Sequence, residues 1–220
     1  VLIDDSRAIS LVQWAPAIGD LDGDGLSEIL YAASGSLQCI SSKNASKCSG
    51  SWPLTVGSTT QLRMATEPAI ADLDGNGKAE IIFATWAGVN SAHSGELYIL
   101  SSTGSVLQKI SLPYYPSSNY DGSLAAPTLF DLDDDGKLEV ILQTVSSGLV
   151  AYTVPTSTDS KTPVVFWGTS RGNNQRTGSV TPPVFIAKKL PLLSGFYIFL
   201  IVFLVVLAVV MISLIIAVIM

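Results

Sequence analysis

Apolar residues fall in short runs from Trp14 to Trp167, each cut off by Gly, Ser, Asn, Asp or Pro. Such punctuated runs are strand and turn signals. No stretch before Pro191 sustains a 3.6-residue period. The runs recur in one frame. A proline-bearing strand comes first, at 14–18, 67–70 and 126–130. A second run, 28–32, 80–84 and 139–143, lies beyond an acidic segment. A third begins at a glycine (35–40, 95–100, 148–152), and a more variable fourth closes the unit (52–56, 106–110, 163–167).

Four strands per unit of about 50 residues is the signature of a β-propeller blade. The fold expected is all-β: three four-stranded repeats forming a partial propeller. Continuous apolar runs such as Ile81-Ile82-Phe83 suit strands buried on both faces. The units are placed at 15–60, 61–120, and 121–180 with a closing segment, and 1–14 is read as the end of a preceding blade or a lead-in strand. The Tyr/Pro-rich stretch 112–122 is either a contact surface or a long connection. Propellers have about 4–8 blades. Two wide faces are left uncovered by three, so further blades are expected upstream or from another chain.

After a linker at 181–194 the pattern changes. Residues 195–220 carry no charge. At 1.5 Å per residue that run makes roughly 39 Å of helix, enough to cross a hydrocarbon core of about 30 Å. A transmembrane helix is expected, against a buried core helix or a removable GPI-anchor signal. The chain begins at Val1 without a signal peptide and is read as a mature or partial chain. Lys188 and Lys189 before the span would lie inside by charge bias alone, a rule that long translocated domains escape.

Composition sharpens this picture in two places. Cys39 and Cys48 flank Asn44-Ala45-Ser46, an N-glycosylation sequon. A Cys39–Cys48 bridge and a glycan at Asn44 together point to an oxidising compartment, against two unrelated thiols. A single-pass protein with its propeller on the extracellular or lumenal side is expected. The formal charge is −6, yet twelve of the 18 acids sit in the three acidic segments, and without them the chain would be +6. The acidity is local. No basic face offers itself to nucleic acid.

The acidic segments are Asp20-Leu21-Asp22-Gly23-Asp24-Gly25-Leu26-Ser27-Glu28, Asp72-Leu73-Asp74-Gly75-Asn76-Gly77-Lys78-Ala79-Glu80 and Asp131-Leu132-Asp133-Asp134-Asp135-Gly136-Lys137-Leu138-Glu139. Oxygen donors at alternate positions of a tight loop suit Ca²⁺, which takes 6–8 oxygens. The expected ligands are Asp20, Asp22, Asp24, Glu28 and the Leu26 carbonyl; Asp72, Asp74, Asn76, Glu80 and the Lys78 carbonyl; and Asp131, Asp133, Asp135, Glu139 and the Lys137 carbonyl. Gly25, Gly77 and Gly136 allow the sharp turn. The second site is expected to be the weakest, because Asn76 replaces a carboxylate. An EF-hand needs a Glu at position 12 and flanking helices. Position 12 here is Tyr31, Phe83 and Leu142, so that reading is set aside, as is a metal-free acidic turn, which three copies in one register argue against.

The pattern resembles the FG-GAP repeat (integrin α-type, VCBS-like) in its broad form, shared with many extracellular propeller proteins. The matching stretches are 16–29, 68–81 and 127–140, and 171–178 resembles a closing motif of such propellers. The naming Phe-Gly and Gly-Ala-Pro elements are reduced to Ala15-Pro16, Glu67-Pro68 and Ala126-Pro127, and Asp134 stands where the other loops have Gly. The resemblance implies a cation that braces the turn between a blade's first two strands, a structural role.

No catalytic set stands out; the lone His93 sits in a polar loop. The expected function is adhesion, or recognition of a protein or glycan partner. The alternatives are a structural subunit of a surface assembly, with neighbouring subunits supplying blades, and part of a propeller enzyme whose catalytic residues lie elsewhere.

Overall fold

The computed structural model describes residues 15–33, 35–56, 63–87, 95–114, 121–154, 163–172 and 184–185. They all belong to the compact unit Val1–Ile186. The lead-in 1–14, His93, most of the closing motif and the apolar run 195–220 lie outside the described residues. Among the described residues, no helix is long and apolar enough to cross a membrane, and every regular element is a strand.

The first sheet holds β1 (Ala17–Gly19), β2 (Glu28–Ala33) and β3 (Ser36–Ser41), with β4 (Ser46–Lys47) and β5 (Leu54–Thr55) sharing the far edge of β3. The expected fourth strand shrinks to β5. The polar hairpin β3–β4 was not foreseen. It is closed by the Cys39–Cys48 disulfide, Cα–Cα 5.4 Å, with Asn44 exposed at its tip.

The second sheet is built on β8 (Glu80–Ala87). Its first half lies between β7 (Ala69–Asp72) and β9 (Glu96–Leu100), and β10 (Val106–Ser111) follows β9. Its last residues pair with two connecting strands, β6 (Arg63–Ala65) and β11 (Asp121–Gly122). A side chain at Gly122, φ +88°, would strike the Thr85 carbonyl, so only glycine lets the connection pass here.

The third sheet has three strands, β12 (Thr128–Phe130), β13 (Glu139–Thr144) and β14 (Gly148–Thr153). Its expected fourth strand goes elsewhere. β15 (Val164–Trp167) pairs antiparallel with β7, placing Val164 opposite Asp72 and Trp167 opposite Ile70, and it carries β16 (Val184–Phe185). The physical reason is burial. On β7, Val165 and Trp167 enter the two apolar cores, whereas the residues along β14 are exposed or half-buried.

Those cores lie between consecutive sheets. Leu30, Leu37 and Cys39 of the first meet Ile81, Phe83 and Leu100 of the second. Ile82, Leu97 and Ile99 on the opposite face of the second meet Leu129, Val140 and Leu142 of the third. Phe83 stacks on Tyr98 with ring centroids 4.9 Å apart. Strand β8 is therefore buried on both faces, as its unbroken apolar run requires.

Candidate metal centres

Each acidic loop is the turn between two paired antiparallel strands of its sheet, β1–β2, β7–β8 and β12–β13. The first Asp sits at or beside the end of one strand and the Glu opens the next, so β-pairing sets the width of the loop's mouth. The Asp then folds the loop around itself. Asp20 accepts from the Gly23 and Gly25 amides, both at 2.8 Å. Asp72 accepts from Asn76 and Gly77 at 3.0 and 2.8 Å. Asp131 accepts from Asp135 and Gly136 at 3.1 and 3.0 Å. The Glu closes the other side, taking the amide of Leu21, Leu73 or Leu132 at 2.8–3.0 Å. Gly25, Gly77 and Gly136 all hold φ of 86–88°. A Cβ there would meet nothing within 4 Å, so the requirement is conformational, not steric.

This folding brings three carboxylates of each loop together. Oxygens of Asp20, Asp22 and Glu28 lie within 4.8 Å of one another, as do those of Asp72, Asp74 and Glu80, and those of Asp131, Asp133 and Glu139. Asp24 and Asp135, at position 5, are not among these groups of three. Asp24 and Asp135 each accept the amide two residues on, at 2.8 Å. Asn76 accepts the Lys78 amide at 2.7 Å and donates to Asp74 at 2.9 Å. Lys137 pairs with Asp135 at 2.7 Å, and Lys43 with Asp24 at 3.8 Å. The hydrogen bond and charge of Lys137 hold Asp135 below the usual carboxylate range and raise Lys137 in return. Both groups are exposed, so the pair adds little stability.

The clusters carry uncompensated negative charge. Burial pushes Glu80 up to about 7; the Leu73 amide opposes the rise, while Asp74 and Asp72 add to it by repulsion. Glu28 moves the same way, with burial again the largest cause and Asp22, Asp20 and Asp24 adding repulsion. Glu139 Oε1 is buried with no hydrogen-bond partner. Three converging carboxylates, buried acids driven toward the neutral form and an orphaned carboxylate oxygen fit a hard divalent cation. The flanking elements exclude an EF-hand on geometric grounds: Tyr31, Phe83 and Leu142 at position 12 lie within β2, β8 and β13.

The FG-GAP-like repeat family matches residues 20–83 and again 72–142, each match running from one loop's first Asp into the strand beyond the next loop. The chain belongs to the FG-GAP-like repeat family. No curated protein and no solved structure matches it. Within the FG-GAP-like frame, Asp134 is the conspicuous departure. It holds φ 61° where Gly23 and Gly75 hold 81° and 69°, so the loop keeps its left-handed turn without the usual glycine.

One residue escaped sequence reasoning. Glu67 was noted only as a departure beside Pro68. It is buried, and its carboxylate accepts from Trp167 Nε1 at 3.3 Å, Ser170 Oγ at 2.9 Å and the Arg171 amide at 2.9 Å. It ties the closing segment to the second repeat. The signal was available: the other two repeats have Ala15 and Ala126 at this position. A charge in an apolar lead-in needs a partner.

Proposed function

We propose that the chain is a Ca²⁺-braced set of β-propeller blades, displayed on the extracellular or lumenal side of a membrane and used for adhesion or for recognition of a protein or glycan partner. The observation that carries the reading is the threefold recurrence of one carboxylate cluster in one strand-to-strand turn. Asp20, Asp22 and Glu28, with their counterparts in the other loops, would hold the ion. The Leu26, Lys78 and Lys137 carbonyls, and Asp24, Asn76 and Asp135 after local rearrangement, would complete its shell. The bound ion supplies charge neutralisation and rigidity, and the reading gives the chain no catalytic step.

The second loop is the weakest site in this account. Asn76 brings one charge fewer, and a Glu80 titrating near 7 makes protons compete with the metal. The disulfide and the exposed Asn44, with its Ser46 hydroxyl donating to it at 2.7 Å, support the oxidising compartment. The apolar run 195–220 supplies the anchor. A role as a structural subunit of a surface assembly is the second reading, favoured by the apolar face that the third sheet leaves open.

Thermal unfolding of the full chain with Ca²⁺ and with chelator tests the reading, since a ligand bound by the native state must raise the midpoint. Equal midpoints would remove the Ca²⁺ claim. Enzymatic deglycosylation that leaves the mass unchanged would remove the glycan from the argument for compartment.

A further inference from the structure

Among the described residues, one interface is used twice and a third copy of half of it is left open. Strand pairing fixes which residues are equivalent. Leu30 pairs with Cys39, Ile82 with Ile99 and Ile141 with Ala151; Ala32 pairs with Leu37, Ala84 with Leu97 and Gln143 with Leu149. The face carrying Leu30, Leu37 and Cys39 packs on the second sheet. The equivalent face of the second sheet, with Ile82, Leu97 and Ile99, packs on the third. The receiving face is also constant: Ile81 and Leu100 in the second sheet, Val140 and Tyr152 in the third. Packing is head-to-tail, a donor face always meeting a receiver face.

Among the described residues, nothing comparable covers the third sheet's donor face. Leu149 is 73% exposed, whereas its equivalents Leu37 and Leu97 are fully buried. Phe130 is 50% exposed against 0% for Ala71. The acidic loops repeat the contrast. Leu21 and Leu73, second in their loops, are 2% and 3% exposed, while Leu132 is 54% exposed. Leu21 is covered from the next repeat, where the Ala79 amide donates to its carbonyl at 3.0 Å. Five of the nine exposed large hydrophobics among the described residues lie between Leu124 and Leu149. A concentration of that kind marks an interaction surface.

We propose that this face is the docking surface for a second copy of the chain, which presents the receiver face of its own first sheet. Resting on the propeller reading above, the proposal names the source of the next blade. The molecule carries the matching half. Ile29 and Ile40 pair across β2 and β3 as Ile81 and Leu100 do in the second sheet, and both are half-buried where their equivalents are fully buried. A donor face at one end and a receiver face at the other form a heterologous contact, which closes a ring when the rotation allows and otherwise propagates. The contact also brings Leu132, and with it the third acidic loop, under the neighbouring copy's first loop, as Leu21 lies under the second.

The test is the mass of the full chain in detergent micelles with Ca²⁺, by light scattering, for wild type, Leu149→Glu, Phe130→Glu and Ile29→Glu. Folding of each is checked by circular dichroism and by the Ca²⁺-induced shift in unfolding midpoint. The wild type is expected to be a dimer or larger. Each variant alone is expected to lose the contact, by at least tenfold in dissociation constant, with the Ca²⁺ shift kept. Mixing Leu149→Glu with Ile29→Glu is expected to restore association, because one supplies an intact receiver face and the other an intact donor face. A monomeric wild type, association that ignores Leu149→Glu and Phe130→Glu alike, or a mixture that stays monomeric would each overturn the proposal. The first would leave the face to a further repeat of a longer chain, the second would move association to the apolar run, and the third would make the contact symmetric. The Ca²⁺ shift, read in the same samples, reports separately on the metal reading.

Discussion

The Glu67 carboxylate accepts the indole N–H of Trp167 at 3.3 Å, one hundred residues along the chain. The same carboxylate takes Ser170 Oγ and the Arg171 amide, and Gly172, at φ 91°, packs against the Trp167 ring. One buried charge thus holds β15 and the turn after it against β7. Glu67→Ala removes the acceptor of three donors and leaves the indole N–H buried without its partner. A loss of about 2–4 kcal/mol is expected, given ~1–3 kcal/mol for each buried polar group left unsatisfied. Glu67→Gln keeps an acceptor oxygen and should lose about half as much. Urea unfolding followed by Trp fluorescence measures both; equal stability of Ala and wild type would contradict the latch.

The metal-free clusters should destabilise the fold as pH rises. Glu80 has a folded pKa of about 7 against an ordinary 4.5, and Glu28 shifts the same way. Between 4.5 and 7 the folded state therefore holds more protons than the unfolded state. The associated stability is fully present below 4.5 and is lost as pH rises through 7. Chelator-treated protein should melt at a lower temperature at pH 8 than at pH 5.5. In millimolar Ca²⁺ the order should reverse, because the metal requires ionised carboxylates. Melting curves at the two pH values, with and without Ca²⁺, check the crossing, and Glu80→Gln should flatten the metal-free dependence.

Position 6 of each loop tests the role of backbone conformation. Gly77 holds φ 88° with open space around its missing Cβ. Gly77→Ala should therefore cost about 1–2 kcal/mol, the price of a left-handed L-residue, without a clash. Denaturant midpoints with excess Ca²⁺ and with chelator would show a loss in both; a neutral substitution would mean that the turn has another way to close.

Asp134 offers the converse. Its φ of 61° is strained for a residue with a Cβ, and Gly23 and Gly75 occupy the same place in the other loops. Asp134→Gly should stabilise the fold by about 0.5–1 kcal/mol and leave Ca²⁺ stoichiometry unchanged, since the third cluster is Asp131, Asp133 and Glu139. A drop in stoichiometry would place Asp134 among the ligands.

Much of this structure was legible in the chain. The loops showed through alternating acids with a glycine at position 6, because a tight turn with converging carboxylates and a positive φ demands particular residues at particular places. The strands β2, β8 and β13 showed as apolar runs because each is buried on one face or both against a neighbouring sheet. The placement of β15 was not legible. An apolar run such as Val164–Trp167 shows that a strand will be buried, and nothing in it distinguishes the edge of β14 from that of β7. Glu67 carried that information, but its three partners lie in a segment about a hundred residues away. At position 5, Asp24, Asn76 and Asp135 have ligand spacing and each accepts the amide two residues on, a bond that Asp and Asn make readily in turns and that Asp22, Asp74 and Asp133 make as well.

Three clusters of one design are proposed to hold three Ca²⁺ ions. Equilibrium dialysis of the full chain against Ca²⁺ at pH 7.5, with bound metal counted per chain, tests it most directly. Three ions per wild-type chain are expected at saturation, with the weakest step lost in a chain carrying Asp72→Ala and Glu80→Gln, which should bind two. No bound Ca²⁺ at millimolar concentration, or an unchanged count in that variant, would contradict it.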